Sequence, residues 1–300
     1  MTRKYAYFPG CSLEKMARSY HESAMETTRA LDVELQEIED WNCCGATTYF
    51  NIDELLAYTL CARNLAIAEQ SKLDVIAPCS GCYKNMYAAR KHLKHEPDLM
   101  EHINEALAED ELKFAGTSEV RHLIDVLVND VGLEEIKKRV RRPLTGLKVA
   151  PYYGCQIVRP RKDHEDVESP RFFEDLMMAI GADPVEYLLK LRCCGGALLI
   201  TNREAALSLV RNLLENAVQS GAAIIATACP LCQVNLECYQ KQVNSEFGTN
   251  LHMPVLYFTQ LLGLALGLPE RDLGLRSLFV DPRPLLSRKG VMSTVKAATP

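Results

Sequence analysis

Leu73-Asp74-Val75-Ile76-Ala77-Pro78-Cys79-Ser80-Gly81-Cys82 and Ala222-Ala223-Ile224-Ile225-Ala226-Thr227-Ala228-Cys229-Pro230-Leu231-Cys232 follow one plan, a short apolar run that ends in a C-x-x-C step. Apolar runs of this length with β-branched residues predict buried strands, here Leu73–Ala77 and Ala222–Ala226. Outward from them, Tyr5–Phe8 and Val33–Ile38 in the first half, and Leu147–Tyr152 and Val185–Leu189 in the second, read as further strands. Between strands, Asp53 to Ser71 and Asn202 to Ser220 show helical apolar spacing, each opening on an Asp or Asn able to cap it. Strand–helix alternation predicts an α/β class with parallel sheets, because parallel neighbours need crossover helices.

The cysteines show that the organisation is a duplication. Cys11 is followed after 31 residues by Cys43 and Cys44, and after 34 more by Cys79 and Cys82. Cys155 is followed after 37 residues by Cys193 and Cys194, and after 34 more by Cys229 and Cys232. Flanking residues agree: Gly10 and Gly154 precede the first cysteine, Gly45 and Gly195 follow the pair, and Glu54/Glu204 and Asn85/Asn235 match at an offset of 150. The expected architecture is therefore two tandem pseudo-symmetric α/β domains of Rossmann-like type, residues 1–143 and 144–275, then an extended C-terminal tail over 276–300. Pro143 and Gly146 mark the boundary. Each cysteine group follows a predicted strand, at the carboxyl ends where open α/β sheets bind ligands. Cys61 and Cys238 stand outside the pattern, in helical runs with apolar neighbours, and read as packing cysteines.

A C-x-x-C step alone is compatible with zinc, an iron–sulfur cluster or a redox dithiol. Structural zinc is satisfied by four ligands, and so is a regular cubane cluster, whereas each half offers five thiols. Adjacent cysteines reach different irons of one cluster more readily than one tetrahedral ion. The thiol-rich set favours iron–sulfur chemistry, with zinc as the alternative.

The pattern Cys, Cys-Cys-Gly, Cys-x-x-Cys, present twice between Tyr5 and Cys238, resembles the CCG cysteine-rich family, which includes the B subunits of heterodisulfide reductases and of heterodisulfide-reductase-like complexes. Iron–sulfur subunits of some succinate, fumarate and lactate oxidoreductases also belong to it. The resemblance implies two noncubane [4Fe-4S] clusters, one on Cys11, Cys43, Cys44, Cys79 and Cys82, the other on Cys155, Cys193, Cys194, Cys229 and Cys232. It implies a catalytic subunit in which a disulfide sits between the clusters and is reduced to two thiols, or the reverse. It also implies partners: a ferredoxin-like iron–sulfur subunit of the C type and a flavin-containing subunit of the A type. A non-catalytic electron-transfer subunit of a larger oxidoreductase is the other function the motif carries. The first motif reads Asn42-Cys43-Cys44-Gly45-Ala46-Thr47, where methanogen subunits carry proline after the pair, so a methanogenic coenzyme does not carry over.

Other features set bounds. A net charge of -5 argues against a nucleic-acid binder. Met1 to Gly10 shows no signal peptide, and Val255 to Leu268 is too short to span a bilayer, so a cytoplasmic protein is expected. No P-loop or dinucleotide fingerprint is present. Arg159, Arg161, Lys162 and His164, shortly after Cys155, and His21, after Cys11, are candidate substrate contacts. The basic run Lys137, Lys138, Arg139, Arg141 and Arg142 reads as an exposed helix face. Tyr5, Tyr7, Phe8, Tyr152 and Tyr153 flank the first cysteine of each motif, where they fill strand positions or shield a cluster.

Overall fold

The computed structural model describes residues 2–46, 49–159 and 166–292. The first half builds β1 (Arg3–Tyr7), β2 (Val33–Glu37), β3 (Val75–Ile76) and β4 (Val120–Arg121), in the order β2-β1-β3-β4. The second builds β5 (Lys148–Tyr152), β6 (Asp183–Pro184), β7 (Ile224–Thr227) and β8 (Val255–Tyr257), in the order β6-β5-β7-β8. Every pairing is parallel, so the two sheets have one topology. The chain runs from β1 outward to β2 and then returns past β1 to β3. Loops after β1 and β3 therefore diverge, and the crevice between them is the switch point where such sheets place ligands.

The anticipated helices form with the anticipated caps. The Glu54–Gln70 helix is capped by Asp53, whose carboxylate accepts from the Leu56 N–H, and the Arg203–Gln219 helix by Asn202, which accepts from Ala205. The strands differ in detail. β4 and β8 are absent from the sequence reading, and Val185–Leu189 is not a strand: β6 is only Asp183–Pro184. Pro184 has no N–H to donate, and the following segment turns back so that the Arg192 carbonyl accepts the Tyr152 hydroxyl at 2.7 Å.

The two sheets share one core. A single cluster of buried side chains joins Tyr7, Phe8, Leu13 and Tyr20 of the first half to Tyr257, Phe258, Leu261 and Leu262 of the second. At its centre the Arg18–Ala30 helix packs on the Phe258–Ala265 helix: Tyr20 stacks on Tyr257 at 4.2 Å, and the Ser23 and Thr259 hydroxyls are 2.7 Å apart. A second, smaller core lies under the Arg203–Gln219 helix.

The stretch from Arg276 onward is not extended throughout. It forms a turn of 3-10 helix over Leu275–Ser277 and a short helix over Arg283–Arg288, and it buries Leu286, Val291 and Met292. The buried Glu237 carboxylate fastens it by accepting from the Phe279 and Val280 N–H groups at 3.1 and 3.4 Å. Residues 293–300 lie outside the described residues. Among the described residues, no helix is long and apolar enough to cross a membrane.

Candidate metal centre

Each five-cysteine set is assembled from three loops at the carboxyl ends of three strands. In the first half Cys11 follows β1, Cys43 and Cys44 follow β2, and Cys79 and Cys82 follow β3. Cys79 is the N-cap of the Ser80–His95 helix and Cys82 lies in its first turn, so both sulfurs sit at the start of that helix. Cys229 and Cys232 repeat this at the start of the Pro230–Cys238 helix.

Glycine is required at the two places where the motif has it. Gly10 and Gly154 adopt left-handed φ of +70 and +69, and a Cβ on either would lie 3.0 or 3.1 Å from the sulfur of Cys82 or Cys232. Gly45 and Gly195, at φ +72 and +73, turn the chain after the cysteine pair. The turn aims the Gly195 N–H at the Cys193 sulfur at 3.3 Å, and the Gly45 N–H at Cys43 in the same way. Asn85 and Asn235 tie this loop to the C-x-x-C helix, donating to the Cys44 and Cys194 carbonyls at 3.3 and 3.1 Å.

The sulfurs form one connected series. Cys11 and Cys43 are 3.9 Å apart, Cys44 and Cys82 are 3.3 Å apart, and Cys79 neighbours Cys82 at the start of one helix. The second half repeats the pairs Cys155–Cys193, Cys194–Cys232 and Cys232–Cys229. Cys79 and Cys229 lie close enough to perturb each other's ionisation, so the two sets meet across the shared core. Cys11, Cys43 and Cys193 are exposed and Cys155 half-buried, whereas the other six are buried. Each set is thus open at one end and closed where it meets its counterpart.

Hydrogen bonding divides the thiols into donors and acceptors. Cys43 is held far below the ordinary thiol range by the Cys11 thiol, by Cys44 and by the Gly45 N–H; Cys193 is held down by Cys155, Cys194 and the Gly195 and Gly196 N–H groups. Their partners Cys11 and Cys155 are pushed up, first because each donates to that thiolate and then by burial. Burial pushes Cys61 up to about 12, and its sulfur rests on the Cys44 carbonyl at 3.4 Å, so it packs beneath the pair. Cys238 is half-buried and pushed up to about 11, again by burial.

Among the described residues, no three His, Cys, Asp or Glu side chains are grouped as a single metal ion would need. Ten thiols with no carboxylate or imidazole among them form the soft donor set that iron–sulfur clusters take.

The candidate substrate contacts fare differently. His21 packs on Tyr7, its Nδ1 3.1 Å from the hydroxyl. Arg159 is exposed and lines a cleft with Glu174, Lys190 and Arg192. Arg161, Lys162 and His164 lie outside the described residues. In the basic run, Arg139 is paired with Asp32 and Glu135, and Lys137, Lys138, Arg141 and Arg142 are exposed or half-exposed. Tyr7, Phe8, Tyr152 and Tyr153 are fully buried behind the first cysteines.

The family profile described as a cysteine-rich domain, CCG, matches residues 5–87 and 149–237, one copy in each half. The chain belongs to the CCG cysteine-rich family. Within it, the chain is 37% identical over 287 residues to the 8-methylmenaquinol:fumarate reductase membrane anchor subunit of Wolinella succinogenes, covering 95% of this chain and all of that one. It is 34% identical over 290 residues to the B subunit of the ferredoxin:CoB-CoM heterodisulfide reductase of Methanosarcina mazei, covering 95% and 96% of the two chains. A protein of Archaeoglobus profundus named for its likeness to the heterodisulfide reductase B subunit is 31% identical, with 93% and 95% covered. In fold, the chain resembles a hypothetical protein from Helicobacter pylori, with a TM-score of 0.75 at 17% identity, over 94% of this chain and 52% of that one. The expected resemblance to the CCG family and the two-sheet parallel α/β architecture both hold.

Proposed function

We propose that this CCG chain is the iron–sulfur catalytic subunit of a heterodisulfide reductase-like complex that interconverts a disulfide and two thiols. The observation that carries the reading is the pair of five-cysteine sets, each gathered at the carboxyl ends of three strands of its sheet and facing the other at Cys79 and Cys229. Cys11, Cys43, Cys44, Cys79 and Cys82 would hold one four-iron cluster of noncubane type, and Cys155, Cys193, Cys194, Cys229 and Cys232 the other. Bound clusters each supply one electron, and disulfide reduction needs two.

The chain's own groups prepare the sites. Gly10 and Gly154 admit a buried sulfur close to the backbone, and the Gly45 and Gly195 N–H groups stabilise a thiolate at Cys43 and Cys193. Burial of the sulfurs at the junction keeps water from the path between the halves. The exposed rims at Cys11, Cys43 and Cys193 are where a substrate or an electron-donating partner gains access. A ferredoxin-like subunit and a flavin-containing subunit are the partners this role needs. EPR of the anaerobically loaded protein, recorded as candidate disulfides are added, tests the proposal. New or shifted signals support it, and spectra indifferent to every disulfide and thiol, alone and in the complex, count against it.

A second reading, an electron-transfer subunit of a quinol- or fumarate-linked complex, is favoured by the name of the Wolinella relative and by one surface feature. Ile52 and Ile200, on the short helices that follow each cysteine pair, are 79% and 95% exposed. Cosedimentation with lipid vesicles, lost on Ile52→Ser/Ile200→Ser, together with spectra indifferent to disulfides, would select this reading.

A further inference from the structure

Two backbone carbonyls lie at the centre of the molecule, those of Pro78 and Ala228, each immediately before the cysteine that meets its counterpart in the other half. They correspond to one another in the repeat, and both are buried in the shared core. Three side chains converge on them. The Tyr20 hydroxyl donates to Pro78 O at 3.1 Å and lies 3.4 Å from Ala228 O. The Ser80 hydroxyl reaches across the junction to Ala228 O at 3.2 Å. His122 Nε2 is 3.3 Å from Ala228 O.

The ring orientation of His122 is set by its own loop. Its Nδ1 accepts the Ile124 N–H at 3.2 Å, so the ring proton is on Nε2 and faces the Ala228 carbonyl. Tyr20 and His122 are fully buried, and both belong to the first half, yet each touches the backbone of the second. The sheet register explains their placement. β3 pairs Ile76 with Arg121, and β7 pairs Ala226 with Leu256, so His122, just past β4, and Tyr257, the last residue of β8, occupy equivalent positions at the carboxyl end of the fourth strand of each sheet. Tyr257 uses that position to stack on Tyr20, and His122 uses it to hold the Ala228 carbonyl. His122 lies outside the segments that match the family profile.

We infer that His122, with Tyr20, is a positioning residue: by clamping the Pro78 and Ala228 carbonyls it holds Cys79 against Cys229 and makes the two cysteine sets one electronic unit. Each buried donor removed from these carbonyls takes away one of the few bonds that tie the two strand ends together. With fewer donors spanning the junction the two strand ends would be held less tightly, and Cys79 and Cys229 would drift apart with them. The inference rests on the cluster reading given above.

The test uses the full chain loaded anaerobically with iron and sulfide, comparing wild type with His122→Ala, His122→Gln and Tyr20→Phe. Iron per chain reports whether both sites are filled. Spin–spin interaction in the EPR spectrum, with both clusters paramagnetic, reports how closely they are held. The expected result is full iron in every variant, loss of the interaction splitting in His122→Ala, and its recovery in His122→Gln, whose amide donates to the same carbonyl. Tyr20→Phe, which keeps the stack on Tyr257 and loses only the hydroxyl, should weaken the splitting and decides the matter if His122→Ala fails to fold. Full iron with unchanged splitting in His122→Ala and Tyr20→Phe overturns the inference and leaves the cluster reading intact. A wild type that takes up no iron overturns both.

Discussion

Gly154→Ala should empty the second site while leaving the first filled. Alanine at φ +69 pays the left-handed penalty of about 1–2 kcal/mol, which by itself lowers the melting temperature by a few degrees. The methyl carbon would also lie 3.1 Å from the Cys232 sulfur, against an optimal separation of about 3.5–4.0 Å for carbon atoms. The sulfur must therefore move by roughly half an ångström, more than the ~0.2 Å that metal–ligand distances tolerate. Iron should fall from about eight to about four per chain in anaerobic protein, the amount in one four-iron cluster. Gly248→Ala separates the two costs. Gly248 caps a helix at φ +65 and has nothing within 4 Å of where a Cβ would stand, so alanine there carries the same backbone strain and touches no sulfur. If Gly154→Ala and Gly248→Ala retain equal iron, close approach of Cys232 to the loop is not what demands glycine, and the reasoning is refuted.

Iron-free protein treated with iodoacetamide near neutral pH should be alkylated first at Cys43 and Cys193, which are exposed and held as thiolates, and last at Cys61, as read by peptide mass spectrometry. Early labelling of Cys61 would contradict the assignment. Asn235→Ala leaves the buried Cys194 carbonyl without its donor and should cost about 1–3 kcal/mol in chemical denaturation, with Asn85→Ala behaving alike at Cys44. Glu237 supplies a pH dependence: burial raises it from 4.5 to about 7. The folded chain therefore holds the proton more tightly than the unfolded one, and stability falls as pH rises from about 4.5 to 7, then levels, by about 3 kcal/mol in all. Glu237→Gln should remove that slope, and an unchanged slope would show that another group sets it.

Much of this arrangement is legible in the sequence because duplication doubles every signal. The ten cysteines, the caps Asp53 and Asn202 and the flanking glycines recur in the same order at closely similar spacing, and a parallel sheet puts all three cysteine loops at one edge. β4 and β8 escape because strands of two and three residues are too short to show alternation. β8 is further hidden in the apolar run from Val255, which changes from strand to helix at Tyr257 and Phe258. How the two sheets face one another has no signature in spacing, so the meeting of Cys79 with Cys229 is visible only in three dimensions. Tyr20 and His122 are missed for the same reason, since a lone aromatic or histidine carries no periodic signal. The Arg276–Arg288 stretch reads as a tail because of its prolines and arginines, yet Leu286 and the bonds to Glu237 dock it.

The central claim is that the two cysteine sets hold iron–sulfur clusters as a joined pair. Iron, zinc and acid-labile sulfide, counted per chain in protein prepared without oxygen, address it most directly when wild type is compared with Cys43→Ser/Cys44→Ser. About eight irons with matching sulfide in wild type, and about four in the variant, are predicted. Zinc in place of iron, or iron unaffected by loss of the Cys43–Cys44 pair, would contradict the account.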